Sequence, residues 1–339
     1  MHRIRRTAGW VVAILTFTTL AVGPPASADV GAASAVNNDP AYLQVYVNNI
    51  ENLETVDAFC PGDWQDLIYY MKGYETSPDL FLVQQIANRT QLNQLVTAMT
   101  DQLAGVYAGV LAIPDPERMN SPCGAEKAQQ TNAIIYRTGR FDLVSTATWQ
   151  SDALTSTGGC ANNSQDRTVN IRAKLYDKIA RKHITAGSIH WPTGAMDGPP
   201  CASENAREAA EAVTTTGGSL MIWGGDGNVT DQDGGAWRSW YTRTNGDLGG
   251  GLGFRDALYD HCRESSTDIK ACLRANWTIS ADRRIDFLFA RRSSGMPFTG
   301  AEHTITFNEG DAADLRFTGT DRDDRDYSDH RAVHARIHY

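Results

Sequence analysis

Apolar residues recur along this chain at two spacings, those of strands and those of amphipathic helices. The segment 43–47 alternates between apolar and polar residues, as a half-buried strand does, and 92–103 carries apolar residues three and four positions apart, as a helix does. Further strands are predicted over 80–83, 133–137, 141–144, 169–175, 184–189, 220–223, 284–289 and 333–339, and further helices around 64–71 and 204–213. The segments 145–166 and 231–254 are rich in Gly, Ser, Thr and Asn and are predicted to be loops. Many strands among few helices, several joined by hairpin-length turns, indicate packed mixed or antiparallel sheets with helices outside.

The first 28 residues have the pattern of a secretory signal peptide. Three arginines precede an apolar run from Trp10 to Val22, and Ala26-Ser27-Ala28 offers small residues for cleavage. The run is short and interrupted by Thr, and no later stretch has the length of a membrane span. We therefore expect a secreted, extracellular protein without a transmembrane segment. Its mature chain would begin with a flexible stretch, 29–41, followed by a single monomeric domain over 42–339.

The charge of the mature chain limits how it could hold a polyanion. Cleavage after Ala28 removes three arginines and no acidic residue, which lowers the formal net charge from −9 to −12. An acidic surface repels nucleic acid and anionic membranes. Binding to either would need a local basic cluster or bound metal ions.

Six cysteines remain after that cleavage, at positions 60, 123, 160, 201, 262 and 272. None forms a Cys-x-x-Cys pair, so a zinc site is disfavoured, and in an exported protein three disulfide bonds are the better interpretation. The sequence leaves fifteen pairings open. Cys262 and Cys272 are the favoured local pair because a short, polar, turn-rich segment separates them.

Polar side chains follow several of the predicted strands. The strand 220–223 runs into glycines that deliver Asp226 and Asn228, two positions apart, and at a strand end such residues can point to the same side. The pair suits a phosphate held by a carboxylate and a hydrogen-bond donor, although this Gly-Asp-Gly-Asn composition is also that of an ordinary turn. A single site assembled from the strand ends would explain the other polar residues there, which are Asn49, Gln85, His190, Asp286, Asp329 and His330.

Six short motifs in order make the chain resemble the endonuclease/exonuclease/phosphatase superfamily, which includes deoxyribonuclease I. They are Asn49-Ile50-Glu51-Asn52-Leu53, Val83-Gln84-Gln85-Ile86, Ser188-Ile189-His190, Gly225-Asp226-Gly227-Asn228, Arg284-Ile285-Asp286-Phe287 and Ser328-Asp329-His330-Arg331-Ala332-Val333. The resemblance spans roughly residues 43–339. It implies an α/β, deoxyribonuclease I-like, four-layer sandwich of two packed mixed β-sheets flanked by helices. It also implies metal-dependent hydrolysis of a phosphate ester.

Five catalytic residues follow from this resemblance. His330 is similar to the imidazole that faces the scissile phosphate as general base or transition-state stabiliser, and Asp286 would hold it in one tautomer. Asp226 would align or deprotonate the attacking water. Asn228 would donate to a phosphate oxygen, and His190 would donate to the phosphoryl group as negative charge accumulates.

The metal side implied by the resemblance consists of Asn49, Gln85 and Asp329, with Mg²⁺ as the expected ion and Mn²⁺ or Ca²⁺ as alternatives. One departure matters here, because the family pattern reads Gln-Glu where this chain reads Gln84-Gln85. An amide oxygen can bind a hard cation, but losing a carboxylate weakens that binding. Three interpretations stay open: a slower enzyme, a site rescued by a nearby acid such as Glu51, or a protein that binds without cutting.

Three functions remain in competition. The first is a secreted metal-dependent phosphodiesterase acting by in-line attack of an activated water, with nucleic acid as the leading substrate. The second is a phospholipase C or sphingomyelinase-like enzyme, in which Trp237 and Trp240 would contact lipid, although aromatic residues near glycines more often pack over a loop. The third is a binding protein on a degenerate fold. Arg167 is a further candidate phosphate contact, although a surface role is the favoured interpretation. The cluster Arg283, Arg284, Arg291 and Arg292 is another candidate, although alternation would point some of it to solvent. The natural substrate and endo- versus exo-cleavage are not determined by the sequence.

Overall fold

Sixteen strands and five α-helices lie whole within the part of the chain that the structure, a computed structural model, describes, and residues 67–68 and 71–72 are also helical. That part comprises residues 35–50, 67–68, 71–72, 76–118, 128–193, 199–279, 283–294, 304–306, 328 and 330–339. The strands are β1 (Tyr42–Asn49), β2 (Leu80–Ile86), β3 (Tyr107–Leu111), β4 (Thr131–Arg137), β5 (Phe141–Gln150), β6 (Asp152–Leu154), β7 (Cys160–Asn162), β8 (Val169–Asp177), β9 (Lys182–His190), β10 (Leu220–Asp226), β11 (Gln232–Asp233), β12 (Ala236–Trp237), β13 (Arg255–Asp256), β14 (Asp286–Arg292), β15 (Thr304–Thr306) and β16 (Val333–His338). The helices are α1 (Arg89–Gln102), α2 (Pro199–Thr216), α3 (Ser239–Thr244), α4 (Ala257–Ser265) and α5 (Ile269–Ala275).

Twelve of these strands form two six-stranded mixed sheets. The first has the order β15-β16-β1-β2-β4-β3 and the second the order β13-β14-β10-β9-β8-β5. Within them β1 runs parallel to β2 and β9 parallel to β10, whereas all other neighbours are antiparallel. The expectation of mixed sheets is therefore confirmed.

The alternation of side chains along each strand produces the layers. Val45 and Val47 on β1 point into a core shared with Ile184 and Ile222 of the second sheet. Tyr46, between them in sequence, joins the core on the other face of the first sheet, together with the buried residues of α1. The outer face of the second sheet packs against α2 to α5. The result is the helix–sheet–sheet–helix sandwich that the sequence predicted.

Two segments predicted to be loops contain regular structure. The segment 145–166 includes most of β5 and all of β6 and β7, and 231–254 includes β11, β12 and α3. β5 is an edge strand whose Ser and Thr side chains are largely exposed, so it is held by backbone pairing with β8 and lacks an apolar pattern. The prediction of loops was wrong there because the signal of these strands lies in tertiary pairing.

Two disulfide bonds fall within the described residues. Cys262 and Cys272 connect α4 with α5, which confirms the predicted local pair, and Cys160 and Cys201 connect β7 with α2. Cys60 and Cys123 lie outside the described residues, as do the predicted signal peptide, Glu51 and Asp329. No helix in the described ranges combines the length and the apolar character that crossing a bilayer requires.

Candidate active site

Three predicted site residues lie side by side at one edge of the second sheet. β9 and β10 are parallel, so both end at this edge, and Asp226 at the end of β10 pairs in register with His190 at the end of β9. β14 is antiparallel to β10, so it begins there, and its first residue, Asp286, pairs with Asp226 on the other side. The direction of the strands thus places residues from three separate motifs next to one another.

The first sheet brings two more predicted residues to the same edge. Asn49 ends β1, and His330 precedes β16, which runs antiparallel to β1. The two segments are tied together through the backbone, because Asn48 Nδ2 donates to the His330 carbonyl at 3.2 Å and Ser328 Oγ donates to the Asn49 carbonyl at 2.5 Å. The same Ser328 hydroxyl accepts the backbone N–H of His330 at 3.0 Å.

Side-chain hydrogen bonds join these residues across the two sheets. Asn49 Nδ2 donates to Oδ2 of Asp226 at 3.0 Å, and Nδ1 of His330 lies 2.8 Å from Oδ2 of Asp286. Nε2 of His330 lies 3.6 Å from Oδ2 of Asp226. All four side chains are buried. A histidine held by a carboxylate through Nδ1 keeps Nε2 available for proton transfer, since the two ring nitrogens then have different roles.

His190 completes the group and is fully buried. Its Nε2 lies 3.5 Å from Oδ2 of Asp226. Burial lowers the pKa of His190 to about 4, although the charge of Asp226 acts in the opposite direction. The ring is therefore neutral near neutral pH and carries one N–H donor and one acceptor nitrogen. Its backbone is fixed from both sides, because the His190 N–H donates to Asn170 Oδ1 at 2.8 Å and Ser151 Oγ donates to the His190 carbonyl at 3.2 Å.

Asn228 follows Asp226 in a tight turn. The backbone N–H of Asn228 donates to Oδ1 of Asp226 at 2.8 Å, and its Nδ2 donates to the Trp191 carbonyl at 2.8 Å. Asn228 has a φ of 49°, a left-handed conformation that Asn tolerates better than most residues. The side chain is thus held beside the cluster by the backbone of the residue that follows His190.

Comparison with solved structures identifies this architecture. The chain matches an endonuclease/exonuclease/phosphatase from Bacteroides vulgatus with a TM-score of 0.55 at 16% identity, covering 87% of this chain and 98% of that one. The fold is that of the endonuclease/exonuclease/phosphatase proteins. D. rerio TDP2 complexed with single strand DNA product matches with a TM-score of 0.55 at 14% identity, covering 87% and 98%. The mannosyl-6-phosphatase Bt3783 of Bacteroides thetaiotaomicron matches with a TM-score of 0.52 at 18% identity, covering 88% and 100%. No protein-family model and no curated protein sequence matches the chain.

Gln85 is the residue at which this endonuclease/exonuclease/phosphatase fold departs from the expected sequence pattern. It is 6% exposed, has a φ of 61° and lies where the pairing of β2 with β4 shifts register between Val83 and Ile86. A left-handed residue other than glycine in a strand is uncommon and marks a bulge. Among the described residues, none donates a hydrogen bond to the buried Oε1 of Gln85. An orphaned amide oxygen at this position is compatible with a cation ligand.

The carboxylates of this edge offer a second set of ligands. One ligand atom from each of Asp226, Asp286 and His330 lies within 4.8 Å of the other two, close enough for a single cation. Oδ1 of Asp286 is buried and accepts no hydrogen bond from the described residues. Acidic groups at this site can therefore bind a metal ion.

Sequence reasoning missed the residues that support the cluster from behind. Gln84 Nε2 donates to Ser188 Oγ at 2.8 Å, and Ser188 Oγ donates to the Val83 carbonyl at 3.0 Å, which joins the two sheets directly beneath the site. Thr278 Oγ1 accepts the backbone N–H of Asp286 at 3.1 Å. Polar residues at buried positions of apolar strands are the one sequence signal that could have identified Gln84 and Ser188.

The remaining aromatic and basic candidates have structural partners. Trp240 is fully buried, and Trp237 stacks on Tyr241 with 5.4 Å between ring centroids. Arg284 is buried in ion pairs with Asp231 and Asp256, at 2.8 and 2.7 Å. Arg167 lies at the protein surface, where its Nη2 donates to Thr193 Oγ1. Packing, the more common role for aromatic residues near glycines, describes Trp237 and Trp240.

Proposed function

We propose that this protein is a secreted, divalent-metal-dependent phosphodiesterase that hydrolyses phosphate esters by in-line attack of an activated water. The observation that carries the proposal is the meeting of Asn49, His190, Asp226, Asp286 and His330 at one edge of the sandwich, although they come from five strand ends far apart in sequence. A water-derived nucleophile and a phosphoryl group need this combination of acids, bases and neutral donors.

His330 and Asp286 form the proton-handling pair of the proposal. With Nδ1–H donated to Asp286 at 2.8 Å, the lone pair of Nε2 can accept a proton from water or stabilise the transferring phosphoryl group. Asp226, 3.6 Å from that Nε2, would align or deprotonate the same water. The two carboxylates flank one imidazole, so the positive charge that forms on the ring is compensated on both sides.

His190 and Asn228 would bind the phosphoryl oxygens. A neutral His190 can donate one hydrogen bond as charge develops, and it adds no positive charge in the ground state. Asn228 uses one N–H of its Nδ2 for the Trp191 carbonyl, and an amide nitrogen carries a second N–H for a phosphate oxygen. Both donors are held rigidly before substrate arrives.

The proposed metal ligands are Asn49 and Gln85, together with Asp329, which adjoins His330 in sequence. The orphaned Oε1 of Gln85 supports a role as ligand. Mg²⁺ is the expected ion, with Mn²⁺ or Ca²⁺ as alternatives, since all three prefer oxygen ligands. When bound, it would neutralise charge on the phosphate and its leaving oxygen.

Nucleic acid is the leading substrate, with D. rerio TDP2, solved with a single strand DNA product, as the precedent on this fold. The mannosyl-6-phosphatase shows a phosphate ester of another class on the same fold. A lipid phosphodiesterase is less well supported, because the buried Trp240 cannot enter a membrane without local unfolding. A binding protein without activity remains the alternative that Gln85 raises.

Hydrolysis of a panel of phosphate esters tests the proposal. We expect the mature protein to degrade single- and double-stranded nucleic acid in the presence of Mg²⁺, Mn²⁺ or Ca²⁺. Addition of a chelator should abolish this degradation. His330→Ala should lower kcat by on the order of a hundredfold or more. Lys178→Ala, which alters an exposed lysine paired with Asp142 on the surface, is the matched control. Absence of turnover on nucleic acids, sugar phosphates and choline phospholipids would rule the enzyme out.

Gln85→Glu separates a weakened enzyme from a binding protein. A restored carboxylate should lower the metal concentration needed for half-maximal activity, because hard divalent cations bind a charged oxygen more tightly. If wild-type protein is inactive and Gln85→Glu becomes active, loss of the carboxylate explains the inactivity, which favours the binding-protein alternative.

A further inference from the structure

Three acidic side chains meet on the outer side of the second sheet, away from the candidate active site. Glu204 and Glu208 lie one turn apart on α2, so they project from the same helix face. Asp152, the first residue of β6, faces them from a different element. One oxygen from each of the three carboxylates lies within 4.8 Å of the other two.

Asp152 is a buried residue whose carboxylate forms no hydrogen bond or ion pair with the described residues. The residue is 7% exposed, yet its side-chain oxygens make no hydrogen bond and no ion pair with the part of the chain that the structure describes. A buried carboxylate without a partner is costly, so such groups are normally paired or bound to a metal. Oε2 of Glu208 is also buried and without a hydrogen-bond partner among those residues.

Arg207 compensates this charge only in part, because its charge lowers the pKa of Asp152 by less than burial and Glu204 raise it. Arg207 forms ion pairs with Glu204 and Glu211 and lies 3.7 Å from Glu208, but it forms none with Asp152. Two guanidinium groups, those of Arg207 and Arg243, therefore act on four carboxylates. Burial and the charge of Glu204 raise the pKa of Asp152, and burial and the charge of Asp152 raise that of Glu208 to about 7.

The position of Asp152 is fixed independently of its carboxylate. Its backbone N–H donates to Asn205 Oδ1 at 2.7 Å, and Asn205 Nδ2 donates to the Asp152 carbonyl at 3.0 Å. The disulfide between Cys160 and Cys201 joins the partner strand of the β6–β7 hairpin to the same helix. The hairpin and the helix thus hold the three carboxylates together although they repel one another.

We propose that Asp152, Glu204 and Glu208 form a second divalent-cation site of the Ca²⁺ class, distinct from the candidate active site. Ca²⁺ takes six to eight oxygens at roughly 2.3–2.6 Å, so oxygens up to about 5 Å apart can share one ion. Three carboxylates supply its charge, and water can fill the remaining positions because Glu204 and Glu208 are partly exposed. Mg²⁺ fits less well, since it requires shorter bonds and octahedral geometry.

The cation would fasten the β6–β7 hairpin onto α2. Residue 151 precedes Asp152, and Ser151 Oγ donates to the backbone carbonyl of His190. Occupancy of the site would therefore stabilise a segment that supports the candidate active site. This inference does not depend on the proposed function, because it concerns Ca²⁺ binding by the folded chain.

Calorimetric titration of Ca²⁺ into the chelator-treated mature protein tests the site. Wild type should bind one more Ca²⁺ ion than the variant Asp152→Asn/Glu208→Gln, or bind that ion on the order of tenfold or more tightly. Glu211→Gln is the matched control, since it removes a carboxylate from the same helix and from the same arginine but not from the site. Equal stoichiometry and affinity in wild type and the double variant would overturn the proposal.

Two further measurements do not use the double variant. Without cation, Asp152→Asn should unfold at a temperature equal to or above that of wild type, because it removes repulsion; a clear fall would contradict the proposed charge excess. Wild-type crystals grown with Mn²⁺, which scatters anomalously, should show a peak between the three carboxylates. Absence of the peak at saturating Mn²⁺ would count against the site even if the active-site metal is present.

Discussion

Single residues at the candidate active site have properties that their type alone does not give. His190 is an example, because full burial holds its pKa near 4 while an exposed histidine titrates near 6.5. Gln85 is another, because a bulge and a positive φ place its amide oxygen in a buried position where no described residue donates a hydrogen bond to it. In both cases the surroundings convert an ordinary side chain into one suited to phosphate or metal chemistry.

The buried His190 should make the free energy of unfolding decrease as the pH is lowered. Its folded pKa of about 4 lies below the unfolded value of 6.5, so between these values the unfolded chain binds more protons. Stability that is fully present above pH 6.5 is then lost as the pH decreases, by about 2 kcal/mol between pH 7.5 and 5. Chemical denaturation at both pH values measures this. His190→Asn should show a correspondingly smaller loss, and identical losses in the two proteins would contradict the assignment.

The residues that an element can contain depend on the backbone segments that pack closely against it. Glycines occupy the two positions before Asp226 in β10 because β9 and β14 approach closely on both sides. A Cβ atom on Gly225 would lie 1.9 Å from the Ile189 carbonyl oxygen, and the residue has a φ of 147°. Only glycine meets both conditions, which explains why the strand that carries Asp226 loses its side chains just before the site.

Gly225→Ala should therefore destabilise the protein by about 3 kcal/mol or more, through the clash and the backbone strain together. Gly251→Ala is the matched control, since nothing lies within 4 Å of its added Cβ, and we expect a change within about 0.5 kcal/mol. Urea unfolding of both variants provides the measurement. A Gly225→Ala protein as stable as the control would mean that β9 and β10 are farther apart than described.

At the scale of the whole molecule, buried ion pairs hold the two sheets together at the end opposite the site. Arg140 is fully buried and lies 3.0 Å from Asp79, which precedes β2, and 2.8 Å from Asp177, which ends β8. Tyr339 Oη donates to the same Asp177 at 2.5 Å. The polar clusters at the two ends of the sandwich thus differ in role, with connection of the sheets at one end and the proposed chemistry at the other.

Arg140→Met should lower the free energy of unfolding by about 3–5 kcal/mol, because it leaves the buried Asp177 without its cation and the buried Asp79 with Arg137 alone. Lys178→Met removes an exposed lysine that pairs with Asp142 and should cost no more than about 1 kcal/mol. Thermal or urea unfolding compares the two, and hydrolysis per folded molecule should be unchanged in both. Equal stabilities would show that the pairs of Arg140 contribute little.

The sequence by itself determined the features that depend on local periodicity and on the ends of elements. Alternation along 43–47 and 169–175 predicted strands, and polar residues at the ends of these and other predicted strands supplied most of the candidate site, including Asp226 and Asp286. These strand predictions succeed because side-chain direction in a strand repeats every two residues. The edge strand β5 was missed in large part, since its exposed Ser and Thr carry no such pattern.

Only the tertiary structure decided which side chains meet and in what state. Asn49 contacts Asp226 across 177 positions of sequence, and His330 contacts Asp286 across 44. The support of His190 by Asn170, the burial that keeps its ring neutral, and the approach of Asp152 to Glu204 and Glu208 depend on packing between separate elements. Periodicity encodes the face on which a residue lies, whereas burial and charge depend on the elements that pack against that face.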